Sequence, residues 1–240
     1  MRIPRPLPSA AVLLSVVLAT SVAAAVFVED FSSMPADECL PDGSEIGAWT
    51  FVFDGYGCSG FVASNGNTML LLQPMGSSSA GETHGALVIG PPTSGDVTLE
   101  VSTATLRQLR TGSTPNPWEV GWVLWHVVDT AHFYYFAAKP NGWELGKADP
   151  AYPGSQRFLA TGSWPAFPIG PWYRVRVTHT GGTIQVFVDD LLLTTFTDGE
   201  RPYATGRLGL YSEDAEAYFD DVSVTTSDAR PKRGKGRKAR

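Results

Sequence analysis

The sequence predicts an all-β protein, a two-sheet antiparallel jelly-roll sandwich. Three observations lead there. Apolar and polar residues alternate with period two in short runs, Gly and Asp pairs punctuate those runs, and no stretch of ten or more residues after the N-terminus shows helical spacing.

The alternation is clearest in three places. Val97, Leu99 and Val101 alternate with Asp96, Thr98 and Glu100; Tyr173, Val175 and Val177 with Arg174 and Arg176; Ile184, Val186 and Val188 with Gln185 and Phe187. Each set buries one face and wets the other, as sandwich strands do. Thr180-Gly181-Gly182 turns one run into the next, Asp189-Asp190 turns into Leu191–Phe196, and Asp198-Gly199 closes that segment. Strands are expected over 27–31, 49–54, 68–73, 85–89, 96–102, 119–128, 132–139, 142–147, 172–179, 183–189, 191–196, 206–212 and 217–225. Short turns and no crossover helices call for two stacked sheets. The longest loops are expected at 32–48, 74–84 and 148–171.

The first 25 residues read as a signal peptide. Arg2 and Arg5 precede the apolar run Ala10–Thr20, and Ala23, Ala24 and Ala25 offer a cleavage site. About 20 apolar residues are needed to cross a bilayer as a helix, so this run is too short to be a membrane span. The expected product is secreted, extracellular or periplasmic: one domain over 26–227 and a disordered basic tail over 228–240. Cys39 and Cys58 are the only cysteines. In an oxidising compartment an isolated pair predicts a disulfide. The alternative is two free thiols or half of a metal site, which no CxxC or histidine spacing supports.

Charge is unevenly spread. The net charge of −6 includes two leader arginines and seven positive charges in residues 230–240; without them, residues 26–229 stand at −15. Such an acidic body excludes nucleic acid and anionic lipid as partners. The tail is either a solvated extension or a tether to an anionic surface polymer.

From residue 172 onward the chain resembles a known group. W-Y-R-V-R-V (172–177), T-I-Q-V-F-V-D-D (183–190), G-R-L-G-L-Y (206–211) and Y-F-D-D-V-S-V (218–224) are similar to the concanavalin A-like lectin/glucanase superfamily. Within it they are most similar to laminin-G-like domains of the 3-keto-disaccharide hydrolase type, whose first strand F-V-E-D-F (27–31) also resembles. The resemblance implies the fold and a carbohydrate-related role; function lives in the site rather than in the sandwich.

Two constellations carry chemistry. Period two places Glu29 on the face shared by Phe27 and Phe31, and the valines of 218–224 place Asp220 on the inward face likewise. Inward carboxylates need pairing or coordination. With first and last strands adjacent, Glu29 and Asp220 are candidate ligands of a structural Ca²⁺, which jelly-roll carbohydrate-active proteins often hold there. The alternatives are solvated strand ends or neutralisation by Arg174 or Arg207.

The second is the aromatic block 118–147. Trp122, Leu124 and His126 share one strand face; His132, Tyr134 and Phe136 oppose Tyr135, Ala137 and Lys139; Trp143, Leu145 and Lys147 oppose Glu144. Sugar C–H faces stack on exposed aromatics while hydroxyls pair with polar side chains, so the block predicts a groove for a poly- or oligosaccharide. Trp122, Trp143 and Tyr134 are candidate binding residues. His126, Tyr135, Lys139 and Glu144 are candidate catalytic residues, with His126 or Tyr135 as base, Lys139 as cation, and Glu144 and Glu119 as acids. His126 is expected outward with Trp122, because a buried histidine needs a partner the sequence does not identify. No laminarinase-type E-x-D-x-E, Q-x-H, HExxH, phosphate loop or Ser-His-Asp motif occurs. Function is left between a glycan-cleaving hydrolase or lyase and a non-catalytic glycan-binding or adhesive envelope protein.

Overall fold

The computed structural model describes residues 25–227. The leader (Ala25 apart) and the basic tail lie outside the described residues. Two antiparallel sheets stack face to face. The nine-stranded sheet runs Leu191–Thr197, Thr183–Val188, Tyr173–Thr180, Asp96–Gln108, Ala215–Ser227, Asn67–Gln73, Cys58–Ser64 and Glu38–Cys39, with Ala25–Glu29 paired to Ala215–Ser227. The eight-stranded sheet runs Gln156–Gly162, Gly142–Ala148, His132–Lys139, Gly121–Asp129, Thr205–Glu213, Gly85–Ser94, Trp49–Phe53 and Glu45–Ile46. The jelly-roll sandwich expected from the sequence is what forms, and among the described residues the only helical element is a single 3₁₀ turn at Pro153–Ser155.

The alternating sets face inward as period two requires. Leu99, Val101, Val175, Val177, Ile184 and Val186 from one sheet meet Val88, Val123, Trp125, Phe136, Leu145 and Leu210 from the other. First and last strands are neighbours, with Phe27 opposite Val224 and Glu29 opposite Val222. Cys39 and Cys58 form the expected disulfide, Cα atoms 5.1 Å apart. Gly60 lets this corner close, because a Cβ there would sit 2.1 Å from the Glu38 carbonyl oxygen.

Four strands went unforeseen, two of them the short pieces Glu38–Cys39 and Glu45–Ile46 inside the loop expected at 32–48. Of the other two, Cys58–Ser64 is built of small residues, and Gln156–Gly162 is an edge strand inside the segment read as loop. Two bulges matter more, because each resets strand parity. Between Trp122 and Val127 one extra residue is inserted against the neighbouring strand, and His126 adopts left-handed φ of 48°. Between Asp220 and Ser223 three steps oppose two on the partner, and Asp221 takes φ of 48°.

The eight-stranded sheet also shows why its aromatics fit. Tyr135 lies across Gly146, Trp143 across Gly162, Trp49 across Gly90 and Tyr211 across Gly85; a Cβ at any of these glycines would come within 2.6 Å of a ring atom. Glycine on the neighbouring strand leaves the space in which each ring lies flat.

Candidate functional site

The outer face of the eight-stranded sheet carries a second apolar layer. Trp122, Leu124, Tyr135 and Ala137 are buried there, with Leu87, Val120 and Val127. Strand register puts Ala137 opposite both Trp122 and Glu144, and Tyr211 opposite Trp122. The Trp122 indole stacks on the Tyr135 ring, centroids 4.6 Å apart, and meets Tyr211 edge-on at 5.4 Å. Its Nε1 donates to the Trp118 carbonyl at 2.8 Å.

Polar groups converge beside this stack. The Tyr135 hydroxyl donates to Glu144 Oε1 at 2.7 Å, and Lys139 Nζ lies 2.6 Å from Glu144 Oε2. The Gln156 amide donates to the Tyr135 hydroxyl. Glu213 reaches the same place from the neighbouring strand, accepting from the Tyr211 hydroxyl at 3.0 Å. Burial pushes the Glu213 carboxyl above its ordinary value, outweighing the Tyr211 hydrogen bond that favours its charged form.

A cavity of about 250 Å³ is lined by Trp118, Trp122, Glu144, Gln156, Phe158 and Glu213. A second, of about 310 Å³, shares Trp122, Gln156 and Glu213 and continues past Tyr135 and Tyr211. The two are halves of one groove. Its open wall is Trp118 and Phe158, 42% and 59% exposed, whereas Trp122 is 7% exposed. Trp122 therefore forms the floor.

Of the residues named from sequence, Trp122, Tyr135, Lys139 and Glu144 come together here. Tyr135 is no base: burial first, then the Glu144 charge, hold its phenol well above the usual range, and it serves as a donor. His126, Tyr134 and Trp143 lie elsewhere. The bulge turns His126 inward beside Trp125; it is 1% exposed, with Nδ1 2.7 Å from the Thr93 carbonyl and its ring 5.1 Å from that of His179. Thr93 is the partner the sequence did not reveal. Tyr134 faces the core, stacked on Trp125 and donating to Asp198 Oδ2 at 2.6 Å. Trp143 joins the core and donates to the Trp164 carbonyl at 3.1 Å. Glu119 is closed off in a buried ion pair with Arg110, which also binds Asp214.

The residues present do not fit a calcium ion shared by Glu29 and Asp220. The bulge at Asp221 puts Asp220 beside Tyr218 in a cleft on the outer face, where Asn67 donates to it at 2.7 Å. Glu29 instead accepts from the Phe31 amide at 3.0 Å. Among the described residues no three His, Cys, Asp or Glu side chains gather as a metal site.

Glu213, Gln156, Trp118, Phe158 and Tyr211 are the groove residues that sequence reasoning missed. Tyr211 and Glu213 shared a detectable signal, the i, i+2 spacing that puts both on one strand face. Gln156 and Phe158 stood in a segment read as loop.

A family model described as a 3-keto-alpha-glucoside-1,2-lyase-like domain matches residues 40–225. The chain belongs to this family. The family match encloses every groove residue named above, and it bears out the resemblance read from the strands at 172–224. No curated protein sequence matches the chain. Among solved structures, carbohydrate-binding module CBM66 from Bacillus subtilis superposes with a TM-score of 0.54 at 18% identity, over 78% of this chain and 98% of its own. Domain 4 of AbnA, a GH43 extracellular arabinanase from Geobacillus stearothermophilus solved with arabinotriose, gives 0.51 at 12%, over 84% and 92%. A Bacillus subtilis protein of unknown function with a galectin-like fold gives 0.50 at 13%, over 80% and 97%. At these identities the family domain shares with them its fold.

Proposed function

We propose that the groove binds a glycoside and that Glu144 and Glu213 act on it as base and acid. One observation carries the reading: two carboxyl groups in unlike surroundings line one cavity beside exposed Trp118 and Phe158. Glu144 is paired with an ammonium, and Glu213 is raised by burial. A carboxylate held by an ammonium is placed to act as base, and a carboxyl raised by burial to act as acid.

The family's name supplies the reaction class. In a 3-keto glucoside the ketone acidifies the C2 proton. Glu144 takes that proton, a C1–C2 double bond forms, the C1–O bond breaks, and Glu213 gives its proton to the departing oxygen. Lys139 supplies the cation for charge that builds on the ketone oxygen, and Trp118 and Phe158 stack against the sugar. The disulfide fits an oxidising compartment, which supports the reading of residues 1–25 as an export signal.

The test is incubation with 3-keto-maltose and 3-keto-sucrose beside their parent disaccharides. Elimination releases an unsaturated keto sugar without uptake of water; hydrolysis takes up water at the scissile bond. Elimination that Glu213→Gln or Glu144→Gln lowers by roughly 10²–10⁴-fold, with binding kept, supports the assignment. Binding without products makes the groove a binding site only. Full turnover in both variants overturns the roles.

A further inference from the structure

The outer face of the other sheet holds a cleft that the groove does not use. It measures about 400 Å³ and is lined by Trp172, Tyr218, Asn67, Ser102, Asp220 and Asp221, among others. The residues named come from four adjacent chain segments. Asn67 comes from Asn67–Gln73, Ser102 from Asp96–Gln108, the tyrosine and both aspartates from Ala215–Ser227, and Trp172 from the lead-in to Tyr173–Thr180. Register sets Asp220 opposite Ser102, and the bulge at Asp221 keeps both aspartates at the cleft instead of turning one into the core.

Its walls differ in chemistry. On one side Trp172 and Tyr218 form a tilted aromatic pair, centroids 6.4 Å apart, and Trp172 is 42% exposed. On the other side Asn67 donates to Asp220 Oδ2 at 2.7 Å, the Asp221 amide donates to Asp220 Oδ1 at 2.8 Å, and Ser102 donates to Asp221 Oδ2 at 3.3 Å. Asp220 is 6% exposed, so its carboxylate is held in place rather than waving in solvent. Among the described residues no cationic side chain lines the cleft.

An aromatic platform facing fixed carboxylate and amide groups is the arrangement that a sugar ring satisfies: C–H faces on the rings, hydroxyl protons on the carboxylates. The missing cation decides which sugar. Two carboxylates with no counter-charge repel a uronate or sulfated unit, and burial, aided by the charges of Asp221 and Asp30, already pushes the Asp220 carboxyl upward.

We infer that this cleft is a second glycan site, selective for a neutral sugar unit and separate from the groove on the opposite sheet. It shares with the function proposed above only the class of ligand, since no residue lines both. The two sites lie on opposite faces of the sandwich, so one molecule holds two stretches of glycan at once.

Calorimetric titration with cellohexaose, maltohexaose, laminarihexaose, arabinohexaose and trigalacturonate tests this. The expected result is two equivalents of at least one neutral hexaose bound per chain, with trigalacturonate excluded from the cleft. Trp172→Ala should remove one equivalent or weaken it at least tenfold while the other keeps its Kd; Trp118→Ala should do the converse. Asn67→Ala, at an exposed position, repeats the measurement should Trp172→Ala melt early. Binding in Trp172→Ala and Asn67→Ala that matches the wild type overturns the second site, as does a failure of every neutral hexaose to bind. Loss in Trp172→Ala with both equivalents kept in Trp118→Ala upholds the cleft and overturns the groove.

Discussion

Lys147 and Asp198 form an ion pair inside the sandwich, Nζ to Oδ2 at 2.8 Å, with neither side chain exposed. The Glu200 and Arg201 carbonyls accept from the same ammonium at 2.8 and 2.7 Å, and Tyr134 completes the shell around Asp198. Removing Lys147 takes the nearest cation from a buried carboxylate and leaves it only Arg157, 3.5 Å from Oδ1, and the Glu200 amide beside Tyr134. Lys147→Ala should cost about 3–5 kcal/mol in urea unfolding, and Lys147→Met with Asp198→Leu should cost less than Lys147→Ala. Burial alone would raise the Asp198 carboxyl, but the Lys147 and Tyr134 hydrogen bonds outweigh it and hold it low. Its contribution to stability is therefore present above the unfolded carboxyl value and lost as pH falls through the folded one.

His179 gives a second pH signature in a different window. Burial, then the neighbouring His126, push it down to about 4. The unfolded chain binds a proton there near 6.5 and the folded protein does not, so stability falls as pH drops from about 6.5 to about 4. The loss should be about 3 kcal/mol over that window. Urea melts of the wild type and His179→Phe at pH 7 and pH 4.5 check this, because the variant's curve should be the flatter.

Glu213 sets the alkaline side of the proposed reaction. A raised carboxyl donates its proton until pH passes its folded value, so turnover of 3-keto-maltose should fall as pH rises through it. Glu213→Gln should remove that limb together with most of the rate. Tyr135→Phe takes one donor from Glu144 and should leave the alkaline limb where it was. A limb unmoved in Glu213→Gln would assign the proton to another group.

The Cys39–Cys58 bridge closes a loop of 19 residues in sequence. Chain entropy assigns a loop of that size about 3 kcal/mol. Reduction should lower stability by that order while the sheets stay formed in far-ultraviolet circular dichroism. Readily labelled thiols in the unreduced, folded protein would show the bridge absent.

Most of the fold was legible because inward valines, leucines and isoleucines repeat with period two, and parity survives wherever a strand is regular. It failed at His126 and at Asp220, where one inserted residue changes every later face assignment and leaves no compositional trace. The groove was half legible. Trp122, Tyr135, Lys139 and Glu144 lie on consecutive hairpin strands, so local pairing gathers them. Glu213 joins them through a strand pairing that spans some ninety residues of chain, and no spacing rule within one segment reaches that far. Gln156 and Phe158 were hidden by their place on an edge strand with weak alternation.

The glycine under each ring has an evolutionary corollary. Tyr135 and Gly146 occupy one register pair, as do Trp143 and Gly162, so neither member can change freely while the other stays. In an alignment of relatives these positions should covary: a side chain at 146 should accompany loss of the ring at 135, and with it loss of the hydroxyl that holds Glu144. Presence or absence of that pair is a two-letter diagnostic for sorting homologues that keep this groove from homologues that have filled it.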